Sequence, residues 1–164
     1  MFYEIPHRSS ASGALVDSVR NSSEEHWANY YSWIALPLSV EFVLGLDEFL
    51  RVLYFNHPFT PAVLRIDPYA YYTWHVDTER GVGLNMILNG GHSHCLFAHD
   101  YVDGKYVGLF SELIYKPNTF YLLDVQSYHS VINFENTRYM FSLEFEENKD
   151  SLSYSDLLRE ISGY

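Results

Sequence analysis

The sequence predicts an all-β core with flanking helices, rolled into a double-stranded β-helix of the jelly-roll, cupin-like kind. Three observations carry that prediction. From Ala62 onward, short runs rich in Tyr, Phe, Val, Leu and Ile recur at fairly even intervals. Turn-forming residues separate the runs, at Asp67-Pro68, Asn89-Gly90-Gly91, Asp103-Gly104, Lys116-Pro117-Asn118 and Glu135-Asn136. Helical periodicity, by contrast, is local and lies outside that stretch.

Taken in order, the first twenty or so residues are Ser-rich and weakly patterned, which fits either a loose arm or a strand laid on the domain. Ser22-x-x-Glu25 has the form of a capping box and predicts a helix over residues 24–34. Leu46, Phe49, Leu50 and Leu53 recur at helical spacing and predict a second over residues 45–53. The eight predicted strands are residues 62–67, 71–76, 83–88, 94–98, 106–110, 119–123, 130–134 and 138–146. Ser153-x-x-Asp156, ahead of Leu157, Leu158 and Ile161, predicts a closing helix that stops at Gly163. A chain of 164 residues, 48% apolar, buries one sizeable core. The expected organisation is a single domain: an N-terminal arm with helices over residues 1–60, a jelly-roll core over 61–147 and a C-terminal helix over 148–164. No internal repeat, low-complexity tract or linker interrupts it.

Composition excludes several function classes. Ten Lys and Arg against 21 Asp and Glu give a formal charge of −11, so no electrostatic footprint for nucleic acid or an anionic membrane is evident. The single cysteine, Cys95, rules out an intrachain disulfide and fits a reducing compartment. The start, Met1-Phe-Tyr-Glu-Ile-Pro-His7, lacks a basic region followed by an apolar core, and no stretch approaches bilayer length. A cytoplasmic enzyme is the expectation. Asn21-Ser22-Ser23 matches a glycosylation acceptor, which without a secretory signal is a chance match.

The chemistry lies in His75-Val76-Asp77, then His129 fifty-two residues after Asp77, then Arg138 nine residues later. Side chains two apart on a strand point the same way, so His75 and Asp77 share one face while Trp74 and Val76 take the other. That is half a metal site. A third ligand must come from a strand adjacent in space and remote in sequence, which a jelly roll supplies at its mouth. Two imidazoles and one carboxylate form the facial triad of non-haem Fe(II), which leaves three adjacent positions open for a co-substrate and O2. Residues 133–137 look like a hairpin connection, which would set His129 and Arg138 on neighbouring strands facing one cavity. A guanidinium matches a carboxylate bidentately and keeps its charge when buried, so an inward Arg138 suits the distal end of a dicarboxylate. Its bland alternative is an edge arginine paired with Glu144 or Glu146.

These residues carry a family resemblance. His75-Val-Asp77, then Tyr115-Lys-Pro-Asn-Thr-Phe-Tyr-Leu-Leu-Asp124 leading to Tyr128-His129-Ser-Val, then Arg138 opening the last long strand, resemble the Fe(II)/2-oxoglutarate-dependent dioxygenases. The resemblance covers residues 62–145. The run from Trp74 to Leu88 looks closest to the aspartyl/asparaginyl β-hydroxylase-like branch, with prolyl-hydroxylase-like members next. Some aspartyl-branch hydroxylases lack the carboxylate ligand, whereas Asp77 is present here. The resemblance implies His75, Asp77 and His129 as iron ligands and Arg138 as the anchor of the 2-oxoglutarate C5 carboxylate. It also implies O2 consumption, release of succinate and CO2, and hydroxylation of an unactivated C–H bond on an amino-acid, peptide or protein side chain or a similar small metabolite.

Other residues keep two readings. Asn85 interrupts an apolar strand, where a buried amide needs partners, and either binds the co-substrate or pins a neighbouring strand. Arg80 either orients the co-substrate or the target acid, or is a solvated loop charge. His92, His94 and His99 lie together, either as a second metal site or as a strand entering the barrel, with His94 still able to line the pocket. Cys95 reads as a small buried hydrophobe. Tyr69-Ala-Tyr-Tyr72 and Trp74 either shape a substrate mouth or belong to the core. Partners should fix the ring tautomers of His75 and His129, and Asp124, the nearest acid before His129, is one candidate. Beside a 2-oxoglutarate-dependent hydroxylase, two functions stay open: a cupin-like iron enzyme that does not use 2-oxoglutarate, and a non-catalytic jelly-roll binding module.

Overall fold

A computed structural model describes residues 1–31, 33–89 and 92–162. The Gly90-Gly91 turn and the Gly163 helix stop lie outside the described residues. Eleven strands among them form two antiparallel sheets. They are β1 (Phe2–Arg8), β2 (Ala28–Tyr30), β3 (Trp33–Pro37), β4 (Phe59–Ile66), β5 (Tyr71–His75), β6 (Gly83–Ile87), β7 (Ser93–Val102), β8 (Lys105–Glu112), β9 (Thr119–Leu123), β10 (His129–Asn133) and β11 (Arg138–Phe145). The larger sheet runs β1-β9-β6-β11-β4-β3-β2 and the smaller β5-β10-β7-β8. All eight predicted strands are present, within a few residues at each end. The Asp103-Gly104 turn joins β7 to β8 with both residues at positive φ (49° and 77°), the geometry that an Asp-Gly hairpin supplies.

The N-terminal third departs from expectation. Its first residues are a strand laid on the larger sheet, β1 pairing β9, followed by α1 (Ser12–Arg20), a helix the sequence pattern did not announce. The helix expected over 24–34 is a single 3-10 turn, Glu24–His26, followed by β2 and β3. The capping box belongs to Ser23 and His26, not Ser22 and Glu25, because the Ser22 hydroxyl donates to Val19 O at the end of α1. The residues after it, Trp27, Tyr30, Trp33 and Ile34, favour a pleated surface, and β3 gains a full ladder by docking on β4. The helix expected over 45–53 starts and ends later, as α3 (Glu48–Asn56), because Asp47 caps it by accepting from Phe49 N at 2.9 Å. A short α2 (Val40–Leu44) precedes it. The closing helix α4 (Tyr154–Ile161) opens on the expected Ser153/Asp156 box.

Alternation explains why the central strands are buried on both faces. On β9 and β11, Phe120, Leu122, Phe141, Leu143 and Phe145 face the helix-covered side, where Leu15, Val43, Leu50, Leu53, Leu157 and Ile161 join them. The intervening Tyr121 and Leu123 face the space between the sheets, with Phe97, Val125 and Val131. β11 thereby presents Arg138, Met140, Ser142 and Glu144 inward. No helix among the described residues is long and apolar enough to cross a membrane.

Residues 133–137 are not a hairpin between neighbouring strands. β10 lies in the smaller sheet and β11 in the larger, so this segment is a corner that crosses between sheets. Asn133 sets it: 2% exposed, its side-chain amide donates to Ile66 O, Asp67 O and Asn136 O at 3.2, 2.9 and 2.9 Å. Asn133→Ala strands those carbonyls and is expected to cost about 1–3 kcal/mol. Urea unfolding measures it, and a change under about 0.5 kcal/mol would contradict the pinning role.

Candidate metal centre

His75 closes β5 and His129 opens β10, and the two stand opposite one another in the antiparallel register. Their ring centroids are 4.1 Å apart. Asp77 follows just past the strand end, held by its backbone N–H donating to Val125 O at 3.0 Å. Its Oδ1 lies 3.5 Å from His75 Nε2 and 3.7 Å from His129 Nε2. One donor atom from each residue falls within 4.8 Å of the others, and no other such group of His, Cys, Asp and Glu occurs among the described residues. First-row divalent ions hold N and O donors at about 2.0–2.2 Å, which puts adjacent donors about 3 Å apart, so the set needs only a small contraction to close on an ion.

Each imidazole is oriented by backbone. His75 Nδ1 lies 2.7 Å from Thr73 O, and His129 Nδ1 lies 3.0 Å from Ser127 O. A proton on Nδ1 donates to each carbonyl and leaves the Nε2 lone pair turned toward Asp77. Asp124 does not reach the ring, contrary to expectation. It accepts from the Ser127 hydroxyl at 2.6 Å and from the amino terminus at 3.4 Å, and so braces the loop whose carbonyl holds His129.

The two oxygens of Asp77 divide their work. Oδ1 faces the imidazoles, while Oδ2 accepts from Arg80 Nε at 2.7 Å and Nη2 at 2.5 Å. Arg80 is therefore not a solvated charge but a clamp that fixes the carboxylate's rotation. Gln126 Nε2 locks that loop by donating to Asp77 O and Arg80 O at 2.8 and 2.7 Å. Burial pushes the Asp77 carboxyl upward, but His75, Arg80 and His129 outweigh it and hold it below the ordinary range. Burial, with the neighbouring His75 and Arg80, depresses His129 to about 4.

His129 is therefore neutral and able to ligate well below neutral pH. A histidine with a depressed folded pKa contributes stability above its unfolded pKa, and loses it as pH falls toward the folded value. The metal-free protein is expected to weaken between about pH 6.5 and 4. Urea unfolding across that window checks it, and His129→Gln should flatten the slope; an unchanged slope would contradict the assignment.

Behind these three residues, the space between the sheets holds a cavity of about 120 Å³, many times the roughly 10–15 Å³ that one water requires. Arg138 reaches it from β11 at 1% exposure. Its Nε and Nη1 have no hydrogen-bond partner, its Nη2 faces only Met140 Sδ at 3.6 Å, and its guanidinium carbon lies 5.3 Å from the Tyr115 ring centroid. The edge pairing with Glu144 or Glu146 is absent. Asn85, 7% exposed with Oδ1 unpartnered, and the buried Cys95 line the same cavity. Burial pushes the Cys95 thiol and the Tyr115 hydroxyl up, which keeps both neutral. The cavity thus joins a three-donor metal set to an unpaired buried cation.

Other expectations resolve outside it. His94 does not line the cavity: its neighbour Cys95 points in, so His94 points out and pairs with Glu112. His92 stacks on Phe134 at 4.6 Å, and His99 meets Ser111 Oγ at 2.8 Å. Of the tyrosine run, Tyr72 lines the cavity while Tyr69 and Tyr71 are exposed, and Trp74 stacks on Tyr106 and Phe110 outside. Sequence reasoning missed Glu144 and Ser142, although the alternation of β11 from Arg138 signals both. It also missed Tyr30 and Trp33, hidden by the helix assigned to 24–34.

No protein-family model and no curated protein sequence matches the chain. Solved structures match in fold. A prolyl-4-hydroxylase from Pseudomonas putida superposes with a TM-score of 0.64 at 16% identity, covering 89% of this chain and 92% of that one. A prolyl hydroxylase from Trichoplax adhaerens, solved with a peptide fragment of hypoxia inducible factor, gives 0.62 at 14% identity, covering 88% and 82%. A non-heme alpha-ketoglutarate-dependent epimerase of nogalamycin biosynthesis gives 0.61 at 11%, covering 89% and 78%. The chain has the fold of these 2-oxoglutarate oxygenases. Prolyl hydroxylases are the second of the two branches its sequence resembles.

Proposed function

We propose that this chain is an Fe(II)- and 2-oxoglutarate-dependent oxygenase that hydroxylates an unactivated C–H bond of an amino-acid, peptide or protein side chain, with release of succinate and CO2. The observation that carries the reading is the Arg138 guanidinium, buried without a partner in the cavity that His75, Asp77 and His129 border. A buried, unpaired cation costs several kcal/mol, so its retention argues for an anion that completes it. The donor set, two imidazoles and a carboxylate on one side of an ion, suits Fe(II). Bound iron would supply the oxidising chemistry with O2 and 2-oxoglutarate.

The chain's own residues perform placement. The Thr73 and Ser127 carbonyls hold both imidazoles through Nδ1 and aim each Nε2 at the ion's position. Arg80 holds Asp77 so that Oδ1 is presented and Oδ2 is occupied. Arg138 neutralises and orients the distal carboxylate, with the unpartnered Asn85 Oδ1 and the neutral Tyr115 hydroxyl on the same wall. Apolar neighbours Leu64, Leu123, Val131 and Met140 keep bulk water from the pocket. The peptide found with the Trichoplax enzyme supports a peptide or protein as one substrate source.

The test is succinate formation after anaerobic loading with Fe(II). Turnover that requires Fe(II), 2-oxoglutarate and O2 together is expected. Succinate formed without added iron, or metal binding without any effect of 2-oxoglutarate, would contradict the reading.

A further inference from the structure

At the opening of the cavity, the inward face of β11 ends in a carboxylate. Arg138, Met140, Ser142 and Glu144 all line one wall at two-residue spacing, with Arg138 buried at one end and Glu144 half-buried at the other. The Tyr30 hydroxyl donates to Glu144 Oε2 at 2.5 Å, and Oε1 accepts no hydrogen bond from the described residues. No Lys, Arg or His among them lies within ion-pairing distance of Glu144. The one cation of the opening, Arg80, is already committed to Asp77. Burial and the neighbouring Glu144 push the Tyr30 hydroxyl up, so it stays a donor to the Glu144 carboxylate.

Aromatic rings line the same cavity as this carboxylate. Tyr30 and Tyr31 meet edge to face at 4.9 Å, with Tyr31 80% exposed at the rim. Trp33 and Tyr72 meet at 5.2 Å, and Tyr72 continues onto His75 at 4.1 Å. The aromatic wall therefore leads from the rim to the metal donors. Ring faces attract cations, and so does a half-buried carboxylate with no cation paired to it. An anionic substrate would meet Glu79 and Glu144, and a neutral one would desolvate Glu144 without repayment. The chain's charge of −11 also draws cations toward it.

We propose that this opening selects a substrate bearing an alkylammonium group, with Glu144 as its counter-charge and Tyr30, Tyr31, Trp33 and Tyr72 as its aromatic walls. The proposal rests on the oxygenase reading and names its substrate class. A free diamino acid and a lysine side chain on a peptide share this chemistry.

Calorimetric titration of the anaerobic Fe(II)- and 2-oxoglutarate-loaded protein tests it. The probes are free lysine and a short lysyl peptide, each against a counterpart without the side-chain ammonium, norleucine and the N-acetyllysyl peptide. At least one ammonium probe is expected to bind about tenfold or more tightly than its counterpart, and whichever does identifies the source. Glu144→Gln is expected to erase that preference, and Tyr30→Phe to reduce it. Equal affinity of ammonium and counterpart in the wild-type protein overturns the proposal, whatever the variants do. A preference that survives Glu144→Gln also overturns it. A 2-oxoglutarate titration of the same preparation separates the two levels: co-substrate binding without ammonium preference sinks only this proposal, whereas no co-substrate binding sinks the oxygenase reading beneath it.

Discussion

Arg138→Met is expected to stabilise the metal-free protein while weakening its affinity for 2-oxoglutarate. Two guanidinium nitrogens of Arg138 are buried without partners, and its surroundings are Met140, Tyr115, Cys95 and Leu64. Methionine matches the length of the aliphatic stem and fills that space without a charge to desolvate. Removing an uncompensated buried cation is worth about 1–3 kcal/mol of stability. Losing the charge that would pair a buried carboxylate costs about 2–5 kcal/mol of binding, or roughly 30- to 5000-fold in Kd. Urea unfolding and a 2-oxoglutarate titration measure the two effects separately. Destabilisation together with unchanged co-substrate affinity would make Arg138 a structural residue.

The second large effect is expected from the donors. His75→Ala and Asp77→Ala should each reduce succinate formation to background, because two donors on one side of an ion do not retain it against water. Fold stability should respond far less. His75 packs at the rim against Tyr72 and His129, so its truncation is expected to cost about 1 kcal/mol. Asp77→Ala leaves Arg80 without its acceptor and should cost about 1–3 kcal/mol. A cooperative melt with no turnover is the expected pairing for both. Activity retained in His75→Ala would contradict its place in the site.

Much of this was legible because two periodicities coincide with chemistry. The two-residue spacing signalled that His75 and Asp77 meet, although Asp77 does so from just past the end of β5 and Val76 lines the cavity as well, and alternation on β11 carries Arg138 inward. The eight core strands declared themselves through apolar runs between turn residues, since β-propensity and turn geometry act locally. The N-terminal third did not. A Ser-x-x-Glu pattern at Ser22 outweighed the aromatic content of residues 27–34 in the sequence reading, while the fold weighed the ladder that β3 makes with β4. That misreading also concealed Tyr30 and Trp33 at the cavity rim. The corner at residues 133–137 looked like a hairpin because both turn types use the same residues. Its true course depends on Asn133 binding carbonyls nearly seventy residues away, which no local pattern reports. The Arg80–Asp77 pair and the Asp124–Ser127 bond went unannounced for a related reason: loop residues meet whatever the fold brings to them.

The central claim is that a metal held by His75, Asp77 and His129 and an anion held by Arg138 share one cavity. The affinity for 2-oxoglutarate, titrated anaerobically with and without Fe(II), tests it most directly. A shared site predicts that iron tightens 2-oxoglutarate by about tenfold or more and that 2-oxoglutarate tightens iron by the same factor. Equal 2-oxoglutarate affinity in the presence and absence of iron would contradict it.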